Sequence, residues 1–151
     1  MVTLRLPKTQ IMQVCMDKQQ QTIADFEHEI LALKQQLRNH EETDSQETRP
    51  SPERRELLLR MEHELNFLNY ELEVLKSINL EEDLAEIALG AVVVTDQRIF
   101  FISVSIERVD VLGEAVIGVS TKSPIYHSMQ GKKTGEYFDY GGVRFTILDV
   151  Y

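Results

Sequence analysis

Two series of mainly apolar residues, spaced alternately by three and four positions, restrict the fold of the first half of this chain more than any other feature. Spacings of this kind place one stripe of side chains along a helix, facing a partner helix. We call the two stripes seam 1 and seam 2, and they predict two long helices. Seam 1 consists of Met12, Met16, Gln19, Ile23, Phe26, Ile30, Leu33 and Leu37, and seam 2 of Leu58, Met61, Leu65, Leu68, Leu72 and Leu75.

The segment between the seams, NHEETDSQETRPSPE, has no apolar residue. Pro50 favours the end of the first helix, because the residue before a proline avoids the helical conformation. Ser51 followed by Pro52 is a typical helix start, with a hydroxyl cap and a pre-set φ. We therefore predict an antiparallel helical hairpin with a polar tip at about residues 41–51. The alternative is that the seams pair between two chains of a homodimer.

The second half of the chain has the composition of a β domain. All seven glycines lie between residues 90 and 151. Segments rich in β-branched and aromatic residues predict strands at 91–95, 98–106, 114–121, 136–140 and 143–151. Tight turns are expected at Thr95-Asp96-Gln97 and at Gly141-Gly142. Ser123-Pro124 repeats the start of a hydroxyl cap followed by proline, and Gly131 marks the end of one short helix.

The predicted fold class is therefore α+β. A coiled-coil hairpin, residues 1–83, precedes a small antiparallel β domain with one short helix, residues 84–151. Because about 60 residues form only a small core, we expect this domain to be stabilised by the base of the hairpin.

The charge balance excludes some functions. The chain has 25 acidic and 16 basic residues and a net charge of −9. This balance argues against a protein that wraps nucleic acid, although it allows action beside nucleic acid through a protein partner. The single cysteine, Cys15, excludes an intrachain disulfide. Without a signal peptide or a run of about 18 apolar residues, we expect a cytoplasmic protein that does not enter a membrane.

The sequence indicates no catalytic site of its own. The four histidines are scattered, and no Gly-rich phosphate loop, HExxH or GxSxG motif occurs. Cys15 lies beside seam 1 and is expected to be a packing residue. Lys132-Lys133 is interpreted as a solvated loop. The residues alone therefore offer few candidates for catalysis.

The polar tip contains the most informative cluster, which consists of Glu41, Glu42, Asp44 and Glu47. Asp44 and Glu47 are three positions apart, so a helical turn would place both carboxylates on one side. Mg²⁺ usually takes one or two protein carboxylates and completes its shell with water or phosphate oxygens. The tip could thus complete a metal site that belongs to a partner. The alternative is a solvated charge run that caps a helical turn.

The C-terminal stretch resembles the C-terminal domain of the bacterial Gre transcript-cleavage factors. Its sequence is VIGVSTKSPIYHSMQGKKTGEYFDYGGVRFTILDVY. The matching features are Ser123-Pro124-Ile125 at the start of a short helix, then Gly131-Lys132, the strand that follows Glu136, and the Gly-Gly turn. The upstream hairpin and the domain order are also similar to the family, so the resemblance covers nearly the whole chain.

The resemblance implies an FKBP-like second domain and a defined role. In the family, the coiled coil enters the secondary channel of RNA polymerase, and two tip carboxylates help to hold a second Mg²⁺ in the polymerase active site. The polymerase then hydrolyses the 3′ end of a backtracked transcript. The D-x-x-E spacing of those carboxylates falls on Asp44 and Glu47, with Glu41 and Glu42 as substitutes.

Further expectations follow from the same resemblance. Ser123, Pro124 and Ile125 are expected to dock on the polymerase, and contact with transcript RNA is expected to be indirect. The resemblance also implies that the protein is not itself an enzyme, because the polymerase supplies the nuclease site, and that it has no cofactor of its own. We expect a monomer, and a homodimer is the alternative.

The tip also departs from the family. Gre factors carry their tip acids in a Gly-Asp-Leu-x-Glu-Asn type of stretch, whereas Thr43, Ser45 and Thr48 flank them here. This departure leaves open a channel-binding regulator that does not stimulate cleavage. The FKBP-like analogy also suggests a prolyl isomerase, and the seams alone would suit a coiled-coil scaffold.

Overall fold

The protein is an α+β protein, as predicted. The structure is a computed structural model that describes residues 5–42 and 52–151, without the side chains of residues 40–42. Two long helices come first, and six strands with one short helix follow. In chain order the elements are α1 Lys8–Glu42, α2 Pro52–Ser77, β1 Val92–Thr95, β2 Ile99–Ser103, β3 Ile106–Val111, β4 Glu114–Ser120, α3 Pro124–Met129, β5 Tyr137–Tyr140 and β6 Val143–Val150.

The chain forms two compact units, which are not divided at residue 83. The sheet unit joins the chain up to Lys18 with Glu73–Tyr151, and the hairpin unit is Gln19–Leu72. The base of each long helix therefore belongs to the sheet unit. Ile11 and Cys15 of α1 and Leu75 of α2 are buried in its core, as expected for a small sheet that needs additional apolar surface.

In the hairpin unit the two helices pack together through the predicted seams. Gln19 Nε2 donates a hydrogen bond of 3.0 Å to the Leu68 carbonyl, and Lys34 pairs with Glu62 at 3.3 Å. The later residue of α1, Lys34, contacts the earlier residue of α2, Glu62. The two helices are therefore antiparallel. The buried apolar residues of this unit are Ile23, Ile30, Leu33, Leu37 and Leu68. Neither helix, over the residues described, contains a stretch apolar enough to cross a bilayer.

The six strands form one mixed sheet in the order β3-β4-β2-β1-β6-β5. The prediction of an antiparallel sheet is wrong at one position, because β2 and β4 are parallel. The predicted strand at 98–106 is also wrong, since β2 ends at Ser103 and a separate strand, β3, begins at Ile106. β3 pairs with β4, not with β2.

A crossing of the chain over Gly118 explains this topology. Gly118 pairs with Phe101 of β2 on one side and with Ile106 of β3 on the other. The link between those two strands passes so close that a Cβ on Gly118 would lie 2.5 Å from the Val104 carbonyl oxygen. Only glycine leaves room for this approach. Gly118 therefore allows β4 to lie between β2 and β3.

The sheet is buried on both faces. Successive side chains of a strand point to opposite faces, so Phe101 joins one core and Phe100 the other. The first core contains the helix bases, together with Val92, Val116 and Tyr151. The second contains α3, together with Phe138, Phe145 and Ile147. We call the second side the α3 face.

The segment before α1 is fixed to the end of β6. Arg5 Nε donates a hydrogen bond of 2.9 Å to Asp149, and its guanidinium lies 4.7 Å from the centre of the Tyr151 ring. The Tyr151 hydroxyl donates to the Leu6 carbonyl at 2.7 Å. Burial raises the pKa of Tyr151 to about 12. These contacts hold the base of α1 against the sheet.

Both predicted turns are present. Thr95 N donates to the Arg98 carbonyl at 3.0 Å and closes the turn between β1 and β2. Gly141 and Gly142 have φ values of 61° and 78°, which is the conformation that a two-residue turn between β5 and β6 requires.

Candidate functional site

The acidic tip stays a prediction. Asp44 and Glu47 lie outside the described residues, and Glu41 and Glu42 end α1 without described side chains. α1 ends at Glu42 and α2 begins at Pro52, as the Ser51-Pro52 start predicts for the second helix. Across residues 5–39 and 52–151, no group of three or more His, Cys, Asp or Glu side chains could hold a metal ion.

The predicted docking corner, Ser123, Pro124 and Ile125, lies at the start of α3 on the α3 face. The helix begins at Pro124, as predicted, but the expected hydroxyl cap is wrong. Ser123 Oγ donates backwards to the Ser120 carbonyl at 2.6 Å. The helix start therefore depends on the pre-set φ of Pro124, while Ser123 fixes the preceding turn.

The three corner residues differ in accessibility. Pro124 is exposed, whereas Ser123 and Ile125 are half-buried. Ile125 packs against the α3-face core, beside the buried Tyr126 and Met129. Pro124 and part of Ile125 are thus available to a partner, and the rest of Ile125 supports the domain.

A pocket of about 310 Å³ lies beside this corner, and we call it the corner pocket. Five strands and helices supply its apolar walls, with serines and one arginine completing the lining. The apolar lining residues are Phe100, Ile117, Val119, Ile125, Tyr140 and Phe145, the polar ones are Arg98, Ser105 and Ser123, and Gly118 completes the lining. Apolar walls with a few polar groups are typical of ligand sites.

Ring contacts fix one wall of the pocket. Phe145 stacks on Phe138 with ring centres 5.0 Å apart and meets Phe100 edge-on at 5.7 Å. Both arrangements are favourable for aromatic pairs. Tyr140, in contrast, is 41% exposed at the mouth, so the apolar surface continues out of the pocket.

Arg98 is the one charged residue among the described residues that line the corner pocket. Its backbone is fixed, because Arg98 N donates to Thr95 Oγ1 at 2.9 Å. Its side chain is exposed, and no carboxylate within the described part of the chain pairs with it. The pocket therefore combines apolar walls with an available positive charge.

Sequence reasoning did not find this pocket. Its walls come from β2, β4, α3, β5 and β6, and the pairing of β2 with β4 brings Phe100 beside Ile117. One signal was present: Phe100 and Phe101 are adjacent in a strand, so their rings must occupy opposite faces. That signal places an aromatic ring on the face of α3, but it does not reveal a cavity.

Two other side chains that could take part in catalysis, Cys15 and His127, belong to no group that could hold a metal ion among the described residues. Cys15 is fully buried, and burial raises the pKa of its thiol to about 11. The packing role predicted for Cys15 is consistent with this burial, since a protonated, enclosed thiol is a poor nucleophile. His127 is exposed beside the ring of Tyr126.

Fold and site together define an α+β protein in which a two-helix hairpin precedes a mixed sheet with a pocket at one corner. In comparisons with known proteins, no family model matches the chain, and no curated protein sequence matches it either.

Proposed function

We propose that this protein is a Gre-like transcription elongation factor. It binds RNA polymerase, inserts its hairpin into the secondary channel as a coiled coil, and stimulates transcript cleavage in backtracked complexes. The observation that carries the proposal is the order of elements: a hairpin whose helices are separated by the acidic tip segment, then a sheet with a Ser-Pro-Ile corner.

The dimensions of the hairpin suit this role. Residues 19–42 of α1 form a helix about 36 Å long at 1.5 Å per residue. Two packed helices of this length are narrow enough to enter a channel and long enough to bring the tip to an enclosed active site. The sequence of seams 1 and 2 supports their description as a coiled coil.

The chemistry belongs to the polymerase, and this protein is not itself an enzyme. Two Mg²⁺ ions about 3.5–4 Å apart stabilise the attacking and leaving oxygens of a phosphoryl displacement. Asp44 and Glu47 would increase the occupancy of the more weakly held ion, with Glu41 or Glu42 as substitutes. The scissile bond, the nucleophilic water and the other ion are all supplied by the polymerase.

Docking is assigned to the sheet unit, which we interpret as FKBP-like. The exposed Pro124 and the half-exposed Ile125 provide an apolar contact next to the polar Ser123. On this proposal the protein acts in the cytoplasm as a monomer and contacts transcript RNA only through the polymerase complex.

The tip assignment is tested on backtracked elongation complexes. Wild-type protein should shorten the RNA from its 3′ end, and Asp44→Asn with Glu47→Gln should abolish shortening while polymerase binding stays within a few-fold. Glu29→Gln, which removes an exposed acid elsewhere on α1, is the control and should cleave normally. A double variant that cleaves as well as wild type shows that Asp44 and Glu47 are not the active acids.

The same experiment separates the alternative function. Thr43, Ser45 and Thr48 stand where Gre factors have glycine, apolar and amide residues, and this departure favours a channel-binding regulator that does not stimulate cleavage. Wild-type protein that binds polymerase without shortening RNA at any Mg²⁺ concentration would support that function. Failure to bind core polymerase would overturn both functions.

The docking assignment is tested by substitutions at the corner. Interfaces concentrate their energy in few residues, each worth about 2 kcal/mol or more, so Ile125→Asp should weaken polymerase binding by well over tenfold. Because Ile125 also supports the core, Pro124→Glu is the second variant. Pro124 is exposed, so its replacement should lower the melting temperature less than Ile125→Asp does, and the melting temperature is measured beside the affinity because Pro124 also starts α3. Leu89→Asp, at an exposed apolar residue outside the corner, is the control. A folded Pro124→Glu variant with unchanged affinity removes the corner from the interface.

A further inference from the structure

The corner pocket has unfilled apolar surface at its mouth. Tyr140 and Val143 face each other across the β5–β6 pair, and 41% and 43% of their surfaces are exposed. They lie on the same side of the strands as the buried Phe138 and Phe145, since residues two apart share a face. The apolar surface therefore extends from the core, through the corner pocket, to the turn between β5 and β6.

The charge at this pocket is one-sided. Arg98 is exposed, and the described lining residues include no carboxylate. The chain as a whole carries a net charge of −9, so a positive group beside an apolar pocket is a local departure from the overall charge. A ligand with an apolar group and a nearby carboxylate would satisfy both features, because a guanidinium binds carboxylates with well-directed hydrogen bonds.

A second depression continues from the pocket. Arg98, Ile117 and Phe145 line both the corner pocket and a larger depression of about 850 Å³, whose other charged lining residues are Arg108 and Glu114. Arg98 thus lies where the two meet. A short extended chain could place one side chain in the corner pocket and its next residues along Arg98, whereas a compact small molecule would use the pocket alone.

We propose that the corner pocket binds an acidic peptide segment, in which one apolar side chain fills the pocket and a following carboxylate pairs with Arg98. The identity of the partner rests on the proposed function, in which the segment belongs to RNA polymerase. The chemistry of the segment does not, because it follows from the lining residues.

The test uses the full chain, labelled with ¹⁵N, and three acetylated pentapeptides as probes. Their sequences are Gly-Leu-Glu-Glu-Gly, Gly-Leu-Lys-Lys-Gly and Gly-Gly-Glu-Glu-Gly, which separate the apolar anchor from the charge. The first should shift the amide resonances of Gly118, Ile125 and Tyr140. The other two should bind at least tenfold more weakly. Binding of the first should weaken with added salt, because the exposed charge pair is screened.

Substitution of Arg98 sharpens the test, because the side chain is exposed and its replacement leaves the core intact. Arg98→Glu should weaken the Leu-Glu-Glu peptide at least tenfold, and Arg98→Lys by about threefold. Lys133→Glu makes the same charge change at an exposed loop position outside the pocket and should have no effect. Affinity for the Leu-Glu-Glu peptide that Arg98→Glu leaves unchanged overturns the proposal.

Two further results also overturn it. One is equal binding of the acidic and basic peptides, and the second is no shift at the pocket at about 5 mM peptide, where a millimolar complex would be mostly formed. Polymerase binding is measured in parallel. Wild-type protein that binds the acidic peptide at the pocket but not core polymerase supports this proposal and overturns the proposed function.

Discussion

The hairpin unit and the sheet unit bury their apolar residues to different degrees. In the hairpin unit the buried apolar residues keep 5–9% of their surface exposed, and four seam 2 positions, Leu58, Met61, Leu65 and Leu72, are only half-buried. In the sheet unit, Phe101, Ile102 and Met129 are fully buried. Two helices cover each other on one side only, whereas the sheet is covered on both faces.

This difference indicates where the stability of the chain lies. Burial stabilises by about 25 cal/mol per Å² of apolar surface, so the sheet unit gains more from each core residue than the hairpin unit does. Both units keep large apolar residues exposed, among them Phe67 in the hairpin unit and Leu112 in the sheet unit. The difference between the units therefore lies in how completely their core residues are buried.

The strongest test of this comparison is a pair of alanine substitutions, one in each unit. Phe101→Ala should lower the free energy of unfolding by about 3–5 kcal/mol, and Leu33→Ala by about 2 kcal/mol, because the half-open seam can close around the smaller residue. Chemical denaturation gives the total, and amide hydrogen exchange locates the loss in each unit. An equal cost for both substitutions would contradict the difference between the units.

A second test concerns the crossing at Gly118. Gly118→Ala should cost about 2 kcal/mol, because its Cβ would meet the Val104 carbonyl and the sheet must shift. Gly113→Ala is the matched control: its Cβ meets no atom within 4 Å, and only its φ of 86° is unfavourable. It should cost about 1 kcal/mol. If the thermal melts of the two variants are equal, contact at the crossing is not the cause.

The smallest expected effect is an alkaline one in the sheet unit. Burial raises the pKa of the Cys15 thiol from 9.0 to about 11, so folding favours the protonated form. This contribution is complete below pH 9 and is lost as the pH rises through about 11. Between these values wild type should lose on the order of 1–2 kcal/mol more stability than Cys15→Ala. Parallel pH profiles for the two proteins would rule out the thiol as the cause.

The helices and turns could be predicted from sequence because their signals are local. The seams, Pro52 and the Gly141-Gly142 pair each act within a few residues, and the structure confirms the helices and the turn. The parallel pairing of β2 with β4 could not be predicted in this way. Only two residues link β2 to β3, which is typical of a hairpin, yet a strand made later lies between them.

The same distinction between local and long-range signals applies to the candidate site. The corner at Ser123, Pro124 and Ile125 was predicted, because a serine before a proline marks a helix start wherever it occurs. The corner pocket was not, since Phe100, Ile117 and Phe145 come together only through the order of the strands. The acids of the tip lie outside the described residues and remain a prediction.

The crossing at Gly118 also sets the order in which the chain can assemble during synthesis. β1 and β2 can pair as soon as both have left the ribosome, but β3 must wait for β4, its one neighbour in the sheet of described strands. β4 then has to insert between β2 and β3, which the chain already connects through residues 104 and 105. β6, made later still, pairs with β1 and brings Tyr151 to Leu6, a separation of 145 residues. Contacts so distant in sequence slow folding, so a nascent chain must keep the apolar base of α1 unpaired until nearly all of the sheet has been made.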